Sequence, residues 1–368
     1  GSFMNAFSVM IIMSCPCSTI LAASTAISGG IANGAKQGIL IKGGEALEKV
    51  SQSEVFCFDK TGTLTTGKPI IKDIVTLNEI DRISFLEQLC IVQYRSEHPI
   101  AKAILEYSKS LHITIEQNAN VEIISGQGVK SVFDGNEIIA GNRKLLESHS
   151  VSLEKFEHQT IQHLEDGKTV VYLAVNGELL GYITLEHQVR EGTKKMISDL
   201  RKKGVEHIAL ITGDEEKVAH SFAKHFGFDT VFANQSPYDK ANAIEQLKQQ
   251  YKNVVMVGDG VNDTLAMSKA DVAISFAAGG SQAAIEVSNI AITHSHPDDV
   301  VHLYDLSKKT LKVVHQNYWI GTSTNIIGAL FGAIGMLSPA AAGAIHIGHT
   351  ASIMANSSKL ALSNDNKY

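Results

Sequence analysis

Charged residues are sharply segregated along this 368-residue chain. Residues 1–35 and 313–358 contain no Asp, Glu, Lys or Arg, whereas short apolar runs alternate with charged ones in between. The first charge-free stretch predicts one membrane-spanning helix over residues 3–28, since about 20 apolar residues cross a bilayer. The second predicts two, over 316–336 and 339–360, broken at Leu337-Ser338-Pro339 because proline cannot continue a helix interior. Gly328, Gly332 and Gly335 offer a small-residue face on which helices approach closely in lipid.

Between the apolar ends the rhythm changes twice. Residues 39–50 read as a short amphipathic connector into a strand at 55–58. Helices at 85–93 and 100–108, then strands at 121–124, 137–140, 170–175 and 179–185, read as an α+β unit. From residue 193 the pattern is α/β, with helices at 193–203 and 217–226 and strands at 207–211 and 254–257. The predicted fold is a doubly wound parallel sheet interrupted after its first strand by an inserted α+β domain, with three transmembrane helices. The expected boundaries are 1–35 (membrane helix), 36–72 and 188–312 (split α/β domain), 73–187 (insert), 313–361 (two membrane helices) and 362–368 (tail).

Charge placement adds orientation. Lys36 and Lys42 follow the first span, Lys308, Lys309 and Lys312 precede the second, and Lys359 and Lys367 follow the third, while the Ser338 hairpin carries no charge. The bulk of the chain and its C-terminus are therefore expected in the cytoplasm of a multi-pass membrane protein. A cleaved signal peptide is disfavoured, because the first span lacks a basic leader and is followed by lysines. The net charge of −6 is spread without a basic patch, which gives nucleic-acid binding no support. Cys15, Cys17, Cys57 and Cys90 form no disulfide framework and are expected to stay reduced in the cytoplasm.

The candidate chemistry sits where the apolar runs end. Val55-Phe56-Cys57-Phe58 runs into Asp59-Lys60-Thr61-Gly62-Thr63-Leu64-Thr65, a carboxylate at a strand end followed by a glycine turn. That places Asp59 as a nucleophile toward a phosphoryl group, with backbone N–H groups nearby. Two further strand ends carry polar clusters, Thr212-Gly213-Asp214 and Gly258-Asp259-Gly260-Val261-Asn262-Asp263. Thr212 can bond a phosphoryl oxygen, and Gly213 admits close backbone approach. Asp259 would bind Mg²⁺ together with Asp59 and the Thr61 carbonyl, with Asp263 behind it and Asn262 orienting phosphate. Lys240 would supply compensating positive charge. In the first span, Pro16 opens the helix between Cys15 and Cys17, leaving two sulfur ligands for a soft or borderline cation.

These motifs, in this order, resemble the phosphorylation domain of P-type ATPases, with a haloacid-dehalogenase-like core. Cys15-Pro16-Cys17 narrows the resemblance to the heavy-metal-transporting type IB subfamily. Where related phosphatases carry a second Asp as general acid, this chain has Thr61, which implies a persistent aspartyl phosphate. Ser96-Glu97-His98-Pro99, Gly126-Gln127-Gly128 and Gly141-Asn142 match the subfamily's nucleotide domain. The resemblance implies that Glu97 and His98 contact the adenine end of ATP, that Gly126, Gly128 and Gly141 admit the nucleotide, and that Asn142 adds a polar contact. Read alone, Ser96-Glu97-His98-Pro99 is a helix start. Two departures stand out: Thr264-Leu265 replaces the usual Ala-Pro, and the actuator domain and earlier membrane helices are not in this sequence, which therefore resembles the C-terminal part of a pump.

His346 and His349 share a helix face in the last span, as residues three apart do. Intramembrane polar residues point to the ion pathway, and Asn325 matches the Asn of the copper pumps' Tyr-Asn pair, whose Tyr is Thr324 here. Two sulfurs with imidazole suit Cu(I) or a divalent ion such as Zn, Cd, Co or Mn. The expected function is ATP-driven export of a transition-metal cation. The alternatives are a membrane-anchored phosphatase, which Thr61 disfavours, and a pump-derived metal sensor, against which the intact Asp59, Lys240, Asp259 and Asp263 argue.

Overall fold

The computed structural model describes residues 3–77, 80–114, 120–124, 126–258, 263–276, 282–294 and 296–362. The chain opens with α1 (Phe3–Met13), α2 (Cys17–Lys36), β1 (Ile39–Ile41), α3 (Gly44–Ser51) and β2 (Val55–Asp59). Then come β3 (Thr65–Thr76), α4 (Arg82–Gln93), α5 (Pro99–Ser110), β4 (Asn120–Ile124), β5 (Gly128–Phe133), β6 (Asn136–Gly141), α6 (Arg143–Ser148), α7 (Glu157–Glu165), β7 (Thr169–Val175) and β8 (Glu178–Val189). The chain continues through α8 (Thr193–Lys202), β9 (His207–Ile211), α9 (Glu216–Phe226), β10 (Thr230–Phe232), α10 (Pro237–Gln250), β11 (Val254–Gly258) and α11 (Thr264–Lys269). It closes with β12 (Val272–Phe276), α12 (Gln282–Val287), β13 (Ile290–Ile292), α13 (Asp298–Ala333) and α14 (Pro339–Leu362). Contacts divide it into two units, residues 1–58, 191–209 and 236–368, and residues 59–190 and 210–235.

Among the described residues there are two sheets. One has seven strands in the order β1-β13-β12-β11-β2-β9-β10. Its centre is apolar on both faces, as a parallel sheet flanked by helices requires: β2, β11, β12 and β13 are buried along their whole lengths. β11 pairs in parallel with both β2 and β12, and Phe58 lies opposite Val257, so β2 and β11 leave the sheet at the same edge. β1 pairs antiparallel with β13 at the border, in a segment expected to be only a connector. Its isoleucines face inward while Leu40 faces out, so three residues sufficed for a strand too short to read by periodicity.

In the first unit, α1 ends at Met13 and α2 begins at Cys17 with Pro16 at its N-cap, so the single span expected over 3–28 is two helices that run on to Lys36. Phe3–Lys36 is the one segment among the described residues long and apolar enough to cross a membrane by length and composition. α13 and α14 have 36 and 24 residues, but Asn317, Asn325, His346, His349 and Asn356 dilute their apolar content. The break between them falls where Pro339 placed it. The small-residue face is used in part: Met13 packs onto Gly328 and Val9 onto Gly332, where a Cβ would overlap them, whereas Gly335 turns the chain at φ 76° with open space around it. Asn317 is fully buried and bonds the Ala22 carbonyl at 3.2 Å and Ser357 Oγ at 2.8 Å, tying α2, α13 and α14 together.

In the second unit, six antiparallel strands follow the order β3-β8-β7-β6-β5-β4. α4 and α5 cover it with a core that includes Phe85, Leu86, Leu89, Ile104, Ile138, Leu173 and Ile183. α4 starts at Asp81, whose carboxylate accepts from Ile83 and Ser84 N–H at 3.1 and 3.3 Å. β3 and β5 were not foreseen. β3 carries Gly67 and Pro69 and a bulge between Thr65 and Pro69, and β5 begins at a glycine, which hides the alternation that marks a strand.

Candidate active site and metal centre

Asp59 ends β2 and is 4% exposed. The next five residues cannot continue the strand, because Gly62 takes φ 81° and turns the chain. That turn is held from three sides. Gly62 N–H donates to Thr65 Oγ1 at 3.1 Å, the Arg190 guanidinium donates to the Thr63 and Gly62 carbonyls at 2.9 and 2.8 Å, and Arg190 N–H reaches Leu64 O at 2.8 Å. Arg190 was missed by sequence reasoning; a cation at the far boundary of the insert is the only signal that points to it.

Lys60 is 8% exposed and pairs with Asp214 at 2.5 Å, with its ammonium 5.5 Å from the Phe222 ring centroid. The Thr212-Gly213-Asp214 cluster is thus joined to the nucleophile's loop through Lys60. Thr212 is 1% exposed, and its hydroxyl accepts from Asp214 N–H at 3.2 Å. At Gly213 a Cβ would meet Gln235 O at an ordinary 3.4 Å, so the protein itself leaves room for a side chain there. His187 of β8 is half-buried, and burial first and the Lys60 charge second hold its pKa below the usual imidazole range.

In the other unit Lys240 and Asp263 form a buried ion pair at 2.7 Å, their side chains 7% and 3% exposed. α10 delivers Lys240 from a capping box in which Ser236 and Asp239 bond each other's backbone, with Pro237 at the first helical position. Asp263 therefore holds Lys240, a partner that sequence reasoning did not assign it. Asp259 and Asn262 lie outside the described residues.

Of the residues matched to a nucleotide domain, several have structural duties. His98 is the N-cap of α5, its Nδ1 accepting from Ile100 N–H at 3.2 Å, and its own N–H donates to Ser96 Oγ at 3.3 Å. The helix-start reading is thus correct for this tetrapeptide, and Nε2 is left over for a ligand. Glu97 is exposed immediately before this cap. Gly128 and Gly141 face each other across β5 and β6; a Cβ on Gly128 would overlap the Ala140 carbonyl, and one on Gly141 the Gln127 carbonyl just before β5. Gly126 takes φ 71° in open space. Asn142 caps α6 through Leu145 N–H at 3.1 Å and donates to Gly126 O at 3.0 Å, fixing the glycine loop against the hairpin.

At the helix break, one ligand atom each from Cys15, Cys17 and His346 lies within 4.8 Å of the other two. The Cys15 and Cys17 sulfurs lie side by side, with Cα atoms 5.5 Å apart. Proline between them bends the backbone enough to bring both sulfurs to one point, so the reduced pair presents two thiolates side by side. The His346 and His349 rings meet edge to face at 4.8 Å. Asn325 donates to the Cys15 carbonyl at 3.4 Å. Its Oδ1, His346 Nδ1 and both His349 ring nitrogens are buried without a hydrogen-bond partner among the described residues. Buried polar atoms without partners cost stability unless a ligand meets them.

The profile of haloacid dehalogenase-like hydrolases matches residues 54–271. A zinc-exporting P-type ATPase of Mycobacterium marinum is 34% identical over 353 residues, covering 95% of this chain and 48% of its own length. A copper-exporting P-type ATPase of Staphylococcus aureus is 36% identical over 352 residues, covering 95% and 43%. The crystal structure of a zinc-transporting PIB-type ATPase in its E2.Pi state superposes with a TM-score of 0.85 at 30% identity, over 95% of this chain and 56% of that one. The chain thus spans about half the length of the curated relatives it matches.

Proposed function

From a chain that belongs to the haloacid dehalogenase-like hydrolase family, in its heavy-metal P-type ATPase branch, we propose ATP-driven export of a transition-metal cation through a phosphorylated Asp59. An Asp59 carboxylate oxygen attacks the γ-phosphorus of ATP, the bond to the bridging oxygen breaks, and ADP leaves with that electron pair. Thr212 donates its hydroxyl to a phosphoryl oxygen, and Lys240, held by Asp263, offsets the added negative charge. A carboxylate and a main-chain carbonyl are the hard oxygen donors Mg²⁺ takes, so Asp59 and Thr61 fit that ion, with Asp259 assigned from sequence. Bound there, it would screen charge on the phosphate oxygens. No general acid stands at Thr61, which favours an acyl phosphate long-lived enough to drive a conformational change.

In this reading Glu97 and the free Nε2 of His98 meet the adenine end of ATP, and the Gly126, Gly128, Gly141 and Asn142 surface receives the nucleotide. The cytoplasm holds the catalytic residues of both units, and α13 and α14 cross the membrane beside α1 and α2. The cargo is a cation that accepts thiolate and imidazole, held by Cys15, Cys17 and His346 with His349 and Asn325 adjoining. The observation that carries the cargo assignment is the convergence of those three ligand atoms within 4.8 Å. Sulfur with imidazole suits Cu(I), Zn(II) and other borderline divalent ions, and the relatives' names include both zinc and copper. The test is ATPase activity of the full-length parent, under reducing conditions, across Cu(I), Zn, Cd, Co and Mn. Stimulation by one or two of these, lost in both Cys15→Ser and His346→Ala, is expected; stimulation unchanged in both variants overturns the site.

A further inference from the structure

A cavity of about 750 Å³ opens beside α13, α14 and the end of α3, lined by none of the residues assigned above to the phosphorylation, nucleotide or metal sites. Lys308, Lys312, His315 and Trp319 line it at successive spacings of four, three and four along α13, which puts them on one helical stripe. Polarity changes along that stripe. Lys308 and Lys312 are among the last charges before the charge-free residues 313–358, whereas Trp319, 67% exposed, and Ile320 follow within them. From Lys312 to Trp319 the helix rises about 10 Å. That spans a headgroup layer of roughly 5–8 Å and the first acyl carbons beneath it.

The charges also fit an anion. Among the described residues no carboxylate lines the cavity. Lys308 is anchored by the Lys203 carbonyl at 3.0 Å and by the Tyr304 ring at 4.6 Å. Lys312 and His315 line the cavity as exposed side chains and make no hydrogen bond or ion pair among the described residues. Tryptophan is the side chain enriched at the membrane–water boundary, apolar in body with one N–H.

We propose that this cavity binds one anionic phospholipid, its phosphate at Lys308 and Lys312 and its first acyl carbons against Trp319 and Ile320; this rests on the membrane reading given above. The test uses the chain in phosphatidylcholine nanodiscs containing a minor share of phosphatidylglycerol, released into detergent, with retained lipid identified by native mass spectrometry. The readout needs no ATPase activity, so failure of the transport assignment leaves it intact. The chain should retain one phosphatidylglycerol in preference to phosphatidylcholine. Lys312→Gln should lower that preference about fivefold, the worth of one lysine near an anionic surface, and Lys312→Arg should restore it. Lys309→Gln, at a lysine outside the cavity, should change nothing. Equal losses in the Lys309 and Lys312 variants would mean diffuse surface attraction and overturn the site, as would retention without headgroup preference. The full-length parent must retain the same lipid; its loss there assigns the cavity to a protein segment and overturns the proposal. A chain that does not enter nanodiscs overturns the membrane reading as well.

Discussion

Replacing Lys240 by methionine separates a functional charge from a structural one. At 2.7 Å and an effective dielectric of about 20, its attraction to Asp263 is about 6 kcal/mol, most of it consumed by removing both ions from water. Net stabilisation is therefore small while the pair is whole. Removing one member leaves the other charge buried, with side-chain exposures of 7% and 3%, and should cost about 3–5 kcal/mol. For a unit of this size that lowers the melting temperature by roughly 6–20 °C. Lys240→Met with Asp263→Leu removes both charges and should recover most of the loss. The double variant should still form no phosphoenzyme, because nothing balances the phosphoryl charge. Thermal unfolding of the two single variants and the double variant, with phosphate incorporation from labelled ATP, reads both quantities. A Lys240→Met cost below about 1 kcal/mol would show a solvated lysine and refute the buried-pair reasoning.

Gly128→Ala places a methyl against the Ala140 carbonyl at φ 150°, so the unit containing β5 and β6 should lose about 1–3 kcal/mol and its nucleotide affinity, read by thermal unfolding and by binding of a fluorescent ATP analogue. His187 is held below the usual imidazole range by burial and then Lys60, so the unfolded chain binds a proton that the folded chain refuses. Stability is intact above about pH 6.5 and declines as pH falls through the folded-state value, and His187→Gln should flatten that decline in pH-dependent melting curves.

The parts legible in the sequence share a physical cause. Strands buried on both faces, such as Val55–Asp59 and Val254–Gly258, are continuous apolar runs, and their polar ends mark the ligand edge of an α/β sheet. Pro16 and Pro339 mark helix breaks because proline has no N–H to give, and the breaks fall where expected. What was hidden depended on partners distant in sequence. Nothing near Lys60 announces Asp214, nothing near Asp263 announces Lys240, and Arg190 braces a loop 126 or more residues upstream of it. Gly128 and Gly141 read as room for a ligand, whereas the strand pairing already requires glycine at both. His98 read as either a cap or a ligand, and only the geometry shows that capping uses Nδ1 alone.

The central claim is that Asp59 accepts phosphate from ATP. Full-length parent incubated briefly with γ-labelled ATP and Mg²⁺, quenched in acid and separated on an acidic gel, should carry label that hydroxylamine releases, as an acyl phosphate does. Asp59→Asn should carry none, while its fold, followed by thermal unfolding, persists. Label that survives in Asp59→Asn, or resists hydroxylamine in the unsubstituted protein, would contradict the account.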